Sequence, residues 1–221
     1  MQRFSPLQRR FAYSVAALAG FVDVTGFLQL DGYFVSFMTG NTTLLARDLA
    51  TGGHRVLVPA LLIAGFVIGV TGGTMLGDRF PHRRKSVVTL LVLGGLVLAA
   101  FARAAGQVPV SLALLVLTMG ALNTVLSANR GSPVGLTYMT GALVRVGQLV
   151  AERIVGKASV SPLPFLLLWG SLLIGAIGGA LTTVHYPAIA LWVASGLAVL
   201  LAIFAAYVQR HSAVSRNAAF S

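Results

Sequence analysis

Six stretches of about twenty mostly apolar residues divide this chain, at 11–30, 56–76, 86–105, 109–128, 163–183 and 187–208. A helix needs about 20 residues to cross a hydrocarbon core about 30 Å thick. Inside that core every backbone N–H and C=O must be satisfied within the protein. Six such stretches in 221 residues leave only loops and tails for water. Charged residues make up 10% of the chain, against about 25% in a soluble domain. The sequence therefore reads as one integral membrane domain over 1–221, which excludes a cytosolic enzyme, a secreted scaffold and a nucleic-acid-binding module. The net charge of +11 is that of basic loops holding a membrane protein's orientation. With no cysteine, disulfides and thiolate chemistry are excluded. Arg9 and Arg10 followed by Ala17-Leu18-Ala19 resemble a signal peptide. The apolar core before that point is short and contains Tyr13 and Ser14, so the segment is read as a retained helix.

Two further segments, 33–50 and 134–154, are apolar enough to enter a membrane and too polar to cross it alone. They belong to an internal repeat. Gly20-Phe21-Val22-Asp23 aligns with Gly120-Ala121-Leu122-Asn123, and Met38-Thr39-Gly40-Asn41 with Met139-Thr140-Gly141-Ala142. Ile68-Gly69-Val70-Thr71-Gly72-Gly73 aligns with Ile174-Gly175-Ala176-Ile177-Gly178-Gly179, in the same order. Each half, about 11–106 and 109–208, holds three spans, and a three-span unit followed by its copy crosses the membrane in opposite senses. The predicted fold is an all-α polytopic membrane protein: six transmembrane helices in two inverted three-helix repeats, each with a re-entrant half-helix carrying M-T-G. With both termini in the cytoplasm, all but Arg47, Arg55 and Arg103 of the 16 basic residues fall on the cytoplasmic side. Eight spans is the alternative count, and it would put the basic loop 78–85 outside. An extended descent over 33–38 covers about 20 Å, and a helix over 39–50 returns about 18 Å. Gly40 and Gly141 are expected to make the turn, and Thr39 and Thr140 to cap the helix that follows.

Asp23 is the carboxylate well inside a span, and an intramembrane ionisable group is a functional candidate by default. It could couple protons, grip a cation, or simply hydrogen-bond the nearby re-entrant segment; its partner position, Asn123, cannot titrate. The two M-T-G motifs place helix N-termini near the membrane centre, where N–H groups and the helix dipole favour an anionic or polar group. Ser36, Thr39, Gly40, Asn41 and Thr42 in the first copy, and Thr137, Thr140 and Gly141 in the second, are the candidate contacts. Arg145, one and a half turns beyond Thr140, is a candidate anion contact, balanced against a snorkelling side chain. Gly65, Gly69, Gly73, Gly175 and Gly179 read as close-packing positions. His54, His82, His185 and His211 lack metal-ligand spacing. No serine has an intramembrane histidine to activate it, one buried carboxylate is expected where a diaspartyl site needs two, and no P-loop motif is present, so no enzyme activity, metal or cofactor is called for.

G-F-V-D-V-T-G-F-L around Asp23, F-V-S-F-M-T-G-N-T-T at 34–43, M-G-A-L-N at 119–123 and T-Y-M-T-G at 137–141 resemble the YoaK family of bacterial inner-membrane proteins, a domain of unknown function. Leu122 departs from the glutamine common before that asparagine. The resemblance covers nearly the whole chain and implies a multi-pass protein of the bacterial cytoplasmic membrane. The residues themselves point to transport of a small polar or anionic solute between the two M-T-G motifs, with Asp23 coupling protons. A passive channel of the same architecture, or a non-transporting scaffold or partner subunit, is the alternative. The expected partners are the bilayer and a small solute, not nucleic acid, and a bundle this small is compatible with a homodimer.

Overall fold

The computed structural model describes residues 5–29, 32–53, 55–126, 139–157 and 160–217. Among them the chain forms helices α1 (Pro6–Gln29), α2 (Met38–Thr51), α3 (Leu57–Arg79), α4 (Arg84–Ala104), α5 (Val108–Leu122), α6 (Met139–Ile154), α7 (Leu163–His185) and α8 (Ala190–Asn217), with a 3₁₀ turn at Pro81–Arg83 before α4. Five of the six expected spans are helices long and apolar enough to cross a membrane: α1, α3, the run through α4, α7 and α8. The entry to α1 is a capping box. The Ser5 hydroxyl accepts the Gln8 N–H at 3.2 Å while the Gln8 amide oxygen accepts the Ser5 N–H at 3.1 Å, with Pro6 opening the helix.

The span expected at 109–128 is corrected. Helix α5 stops at Leu122, so its 15 residues reach only about 22 Å. Its end has a polar cause. The Asn123 side-chain amide donates to Met119 O at 2.9 Å and the Thr124 hydroxyl to Ala121 O at 2.8 Å. Such short polar side chains compete with the helical ladder. The backbone then tightens, with Thr124 N–H on Ala121 O and Val125 N–H on Leu122 O. From the start of α4, Arg84 donates to Thr124 O at 3.1 Å and pairs with Asp78 of α3 at 2.7 Å. A residue the sequence marked only as loop charge thus ties three helix ends together.

The helix pairings of the first half recur in the second. α1 lies on α7 and α8, as α5 lies on α3 and α4; α2 packs on α3, as α6 packs on α7; and α4 meets α8. The crossings are made by glycines against backbone. A Cβ added at Gly20 would stand 2.1 Å from Leu172 O, and one at Gly120 2.3 Å from Phe66 O. One at Gly175 would stand 1.9 Å from Ala17 O, and one at Gly69 2.1 Å from Leu117 O. Gly179 and Gly73 would each meet a Cα at 2.9 Å, that of Phe21 and of Ala121. A buried bond from the Thr183 hydroxyl to the Thr25 hydroxyl, 3.1 Å, adds a polar stitch between α7 and α1.

In the apolar window of α1, 61% of residues are buried, against 11% in α7, so α1 is central and α7 peripheral. Exposed Leu61 and Met75 on α3, Ile174 and Leu181 on α7, and Leu200 and Ile203 on α8 form an outer surface suited to lipid rather than water.

Gly175→Leu and Gly69→Leu force a side chain into a carbonyl on a helix that cannot yield, while Gly72→Leu and Gly196→Leu point into open space. The first pair should lose stability at or above the upper end of the overpacking range, about 3 kcal/mol. Apparent Tm and monodisperse yield in mild detergent should collapse for the first pair and hold for the second; equal losses would refute the crossing.

Candidate functional site

Residues 33–37 run non-helically between α1 and α2, and their backbone polar groups are held by two side chains. The Asn41 side chain brackets Phe34: its amide donates to Phe34 O at 2.7 Å and its oxygen accepts the Phe34 N–H at 3.1 Å. Asp23, from α1, accepts the Ser36 N–H on Oδ1 at 2.9 Å. Val35, fully buried, sits on Gly26 of α1, where a Cβ would meet its Cγ1 at 2.6 Å. Phe34 packs between Phe27, tilted against it at 4.9 Å between ring centres, and Phe37, edge-to-face at 5.1 Å.

Gly40 serves differently from the expectation. It is not in a left-handed conformation; among the described residues the left-handed glycines are Gly32, Gly52, Gly106 and Gly156. A Cβ at Gly40 would strike the rings of Phe37 and Phe34, at 2.5 and 2.8 Å, so the position is kept small to seat them. Thr39 does not cap α2. The N-cap is Phe37, without a side-chain cap bond, and Thr140 likewise falls inside the first turn of α6. The exposed Thr42 and Thr43 return their hydroxyls to Met38 O and Thr39 O of their own helix. Both short helices end on left-handed glycines, Gly52 and Gly156, closed by bonds from Gly53 N–H to Asp48 O and from Lys157 N–H to Glu152 O, each 2.8 Å.

Where these elements meet there is a partly open cavity of about 190 Å³. Asp23 and Ser36 line it from the first half and Met139 and Thr140 from the second, with Phe34, Phe37 and Leu172 forming the remaining wall. Asp23, Ser36 and Thr140 thus line one cavity. The other candidates lie elsewhere. Thr39 and Thr42 are on the exposed face of α2, and Asn41 is fully buried in its bracket on Phe34. Asn123 is buried at the end of α5, Gly141 lies in the first turn of α6, and Thr137 falls outside the described residues. Arg145 turns along its own helix to Gln148 and Glu152, at 3.1 and 3.4 Å.

The cavity's apolar wall was missed. Phe34 and Phe37 stand on either side of Ser36 in the same F-V-S-F run, but apolar residues give no contrast in so apolar a chain. The second carboxylate inside these elements, Asp48 of α2, is buried and receives Arg47 at 2.6 Å away from the cavity.

Fold and site together define a polytopic α-helical membrane protein with a largely apolar cavity, carrying three polar side chains, at the junction of two similarly packed halves. The chain belongs to the DUF1275 family, described as a protein of unknown function, whose model matches residues 11–204. It is 36% identical over 198 residues to a UPF0700 transmembrane protein of Rhizobium meliloti (strain 1021), covering 89% of this chain and 85% of the relative. It is 27% identical over 147 residues to the UPF0700 transmembrane protein YoaK of Bacillus subtilis (strain 168), covering 63% of this chain and 65% of that one. The resemblance carried by the G-F-V-D and M-T-G motifs therefore holds. No solved structure matches the chain.

Removing the Asn41 bracket leaves buried backbone groups of Phe34 without partners, a cost of about 1–3 kcal/mol for each group. Asn41→Ala should lower the apparent Tm in detergent by several degrees, whereas Thr42→Ala, exposed and bonded within its own helix, should leave it unchanged. Comparable melting of the two variants would show that the bracket does not hold the 33–37 segment.

Proposed function

We propose that this protein carries a small polar solute across the bacterial cytoplasmic membrane, using the cavity between the two M-T-G segments as its binding site. The observation that carries the reading is that Asp23 and Ser36 of the first half and Thr140 of the second line one cavity. Chains built from two copies of opposite sense commonly bind at the repeat interface, beside broken helices. The recurring glycine crossings and the two short helices beginning at Met38 and Met139 are consistent with that plan. In this reading α2 and α6 dip into the membrane from opposite faces, both termini are cytoplasmic, and the protein performs no chemistry on its solute. Asp23 couples transport to protons, because an intramembrane carboxylate beside a cavity can exchange a proton as the solute enters or leaves. A scaffold subunit has no use for a cavity walled from both halves that carries a carboxylate and two hydroxyls.

The natural absence of cysteine makes the access test direct. Ser36→Cys and Thr140→Cys, introduced singly, are probed with membrane-impermeant methanethiosulfonates in right-side-out and inside-out vesicles. Alternating access predicts labelling from both faces, with relative rates that change when Asp23→Asn is added. A channel predicts labelling from both faces together with a steady ion conductance. No labelling from either face would end the transport reading.

A further inference from the structure

We infer that the solute taken by this cavity is a small organic cation of the ammonium type, not an anion; the inference rests on the transport site proposed above. A helix N-terminus inside a membrane invites an anion. At α2 the protein has already supplied one, because the Asp23 carboxylate takes the Ser36 N–H just ahead of the helix start. A second anion entering the cavity would face that carboxylate at close range and low dielectric. Among the described residues no lysine, arginine or histidine lines the cavity to offset the repulsion, and Arg145 is engaged by Gln148 and Glu152 on its own helix. What does line it suits a cation with carbon on it. The carboxylate supplies charge and the Ser36 and Thr140 hydroxyls supply acceptors. Phe34 and Phe37 supply aromatic rings, a residue type that attracts ammonium groups, and Met139 adds a polarisable thioether.

A bare alkali ion asks for a shell of oxygens. Among the described lining residues only Asp23, Ser36 and Thr140 offer side-chain oxygen, against four apolar residues. The partly open volume, about 190 Å³, has room for an ammonium with a few carbons. The second half has no equivalent charge, since Asn123 stands where the repeat would place the carboxylate.

Equilibrium dialysis of the detergent-solubilised full chain at pH 8, with radiolabelled methylammonium and tetramethylammonium, reads this without requiring transport. Saturable binding should weaken about tenfold or more in Asp23→Asn, which keeps an oxygen for the Ser36 N–H, and about fivefold in the partly exposed Phe37→Leu. A second readout needs no ligand. In the Thr140→Cys chain, the cationic trimethylammonium methanethiosulfonate should react about tenfold faster than the anionic sulfonate reagent, relative to a free thiol. Adding Asp23→Asn should erase that preference. No saturable binding of either ammonium, binding indifferent to Asp23→Asn, or a rate preference near one would overturn the inference. Anion flux in liposomes without ammonium binding would leave transport standing and remove the cation. Ammonium binding with no access from either membrane face would do the reverse.

Discussion

Helices in a bilayer are not driven together by the hydrophobic effect, since lipid is as apolar as a leucine; close backbone approach must do that work. Here it does so at two matched places, where α1 meets α7 and α3 meets α5 with glycine pressed against carbonyl oxygen. Everything functional is hung from these crossings. Leu172, whose carbonyl receives Gly20, also lines the cavity, so the wall of the site and the bundle seam share a residue. Each crossing joins a helix of one half to a helix of the other. The two halves are therefore interlocked, not stacked side by side.

The second constraint is the non-helical stretch before α2. A backbone that leaves its hydrogen-bond ladder inside a membrane protein must find partners in side chains. Asn41 and Asp23 provide them, and they differ in kind. Asn41 is fully enclosed and uses both ends of its amide on Phe34. Asp23 is partly open, so one carboxylate both secures the Ser36 amide and faces the cavity. The structural and functional readings of Asp23 are thus compatible: the bond that positions the charge is the bond that secures the segment.

The sequence told the span helices by length and apolarity alone, because a lipid-facing helix needs no pattern beyond those. It did not tell where α5 ends. Apolarity continues beyond Leu122, while the hydrogen-bond ladder is broken by Asn123 and Thr124, whose side chains turn back on their own helix. In the site, polarity was legible and direction was not. Thr39 stands where the repeat places Thr140, and both are exposed in the first turns of their helices, yet Thr140 lines the cavity and Thr39 does not. Arg145 carried a plausible charge at a plausible height and spends it on Glu152. Phe34, Phe37, Met139 and Leu172 were silent because their position, not their chemistry, makes them part of the site.

The glycine seams also bear on how two copies of one unit could drift apart. At five of the six crossing glycines, all but Gly73, the nearest group is a carbonyl oxygen, which every amino acid possesses. Ala17 answers to Leu117, Phe21 to Ala121 and Leu172 to Phe66 at equivalent contacts, with no side chain conserved between them. Selection on such a joint bears on one partner only, the glycine, and leaves the other free to vary. A duplicated half could then lose nearly all recognisable likeness to its twin while keeping the same geometry, and one copy could acquire a carboxylate where the other holds an amide without disturbing the frame that positions both.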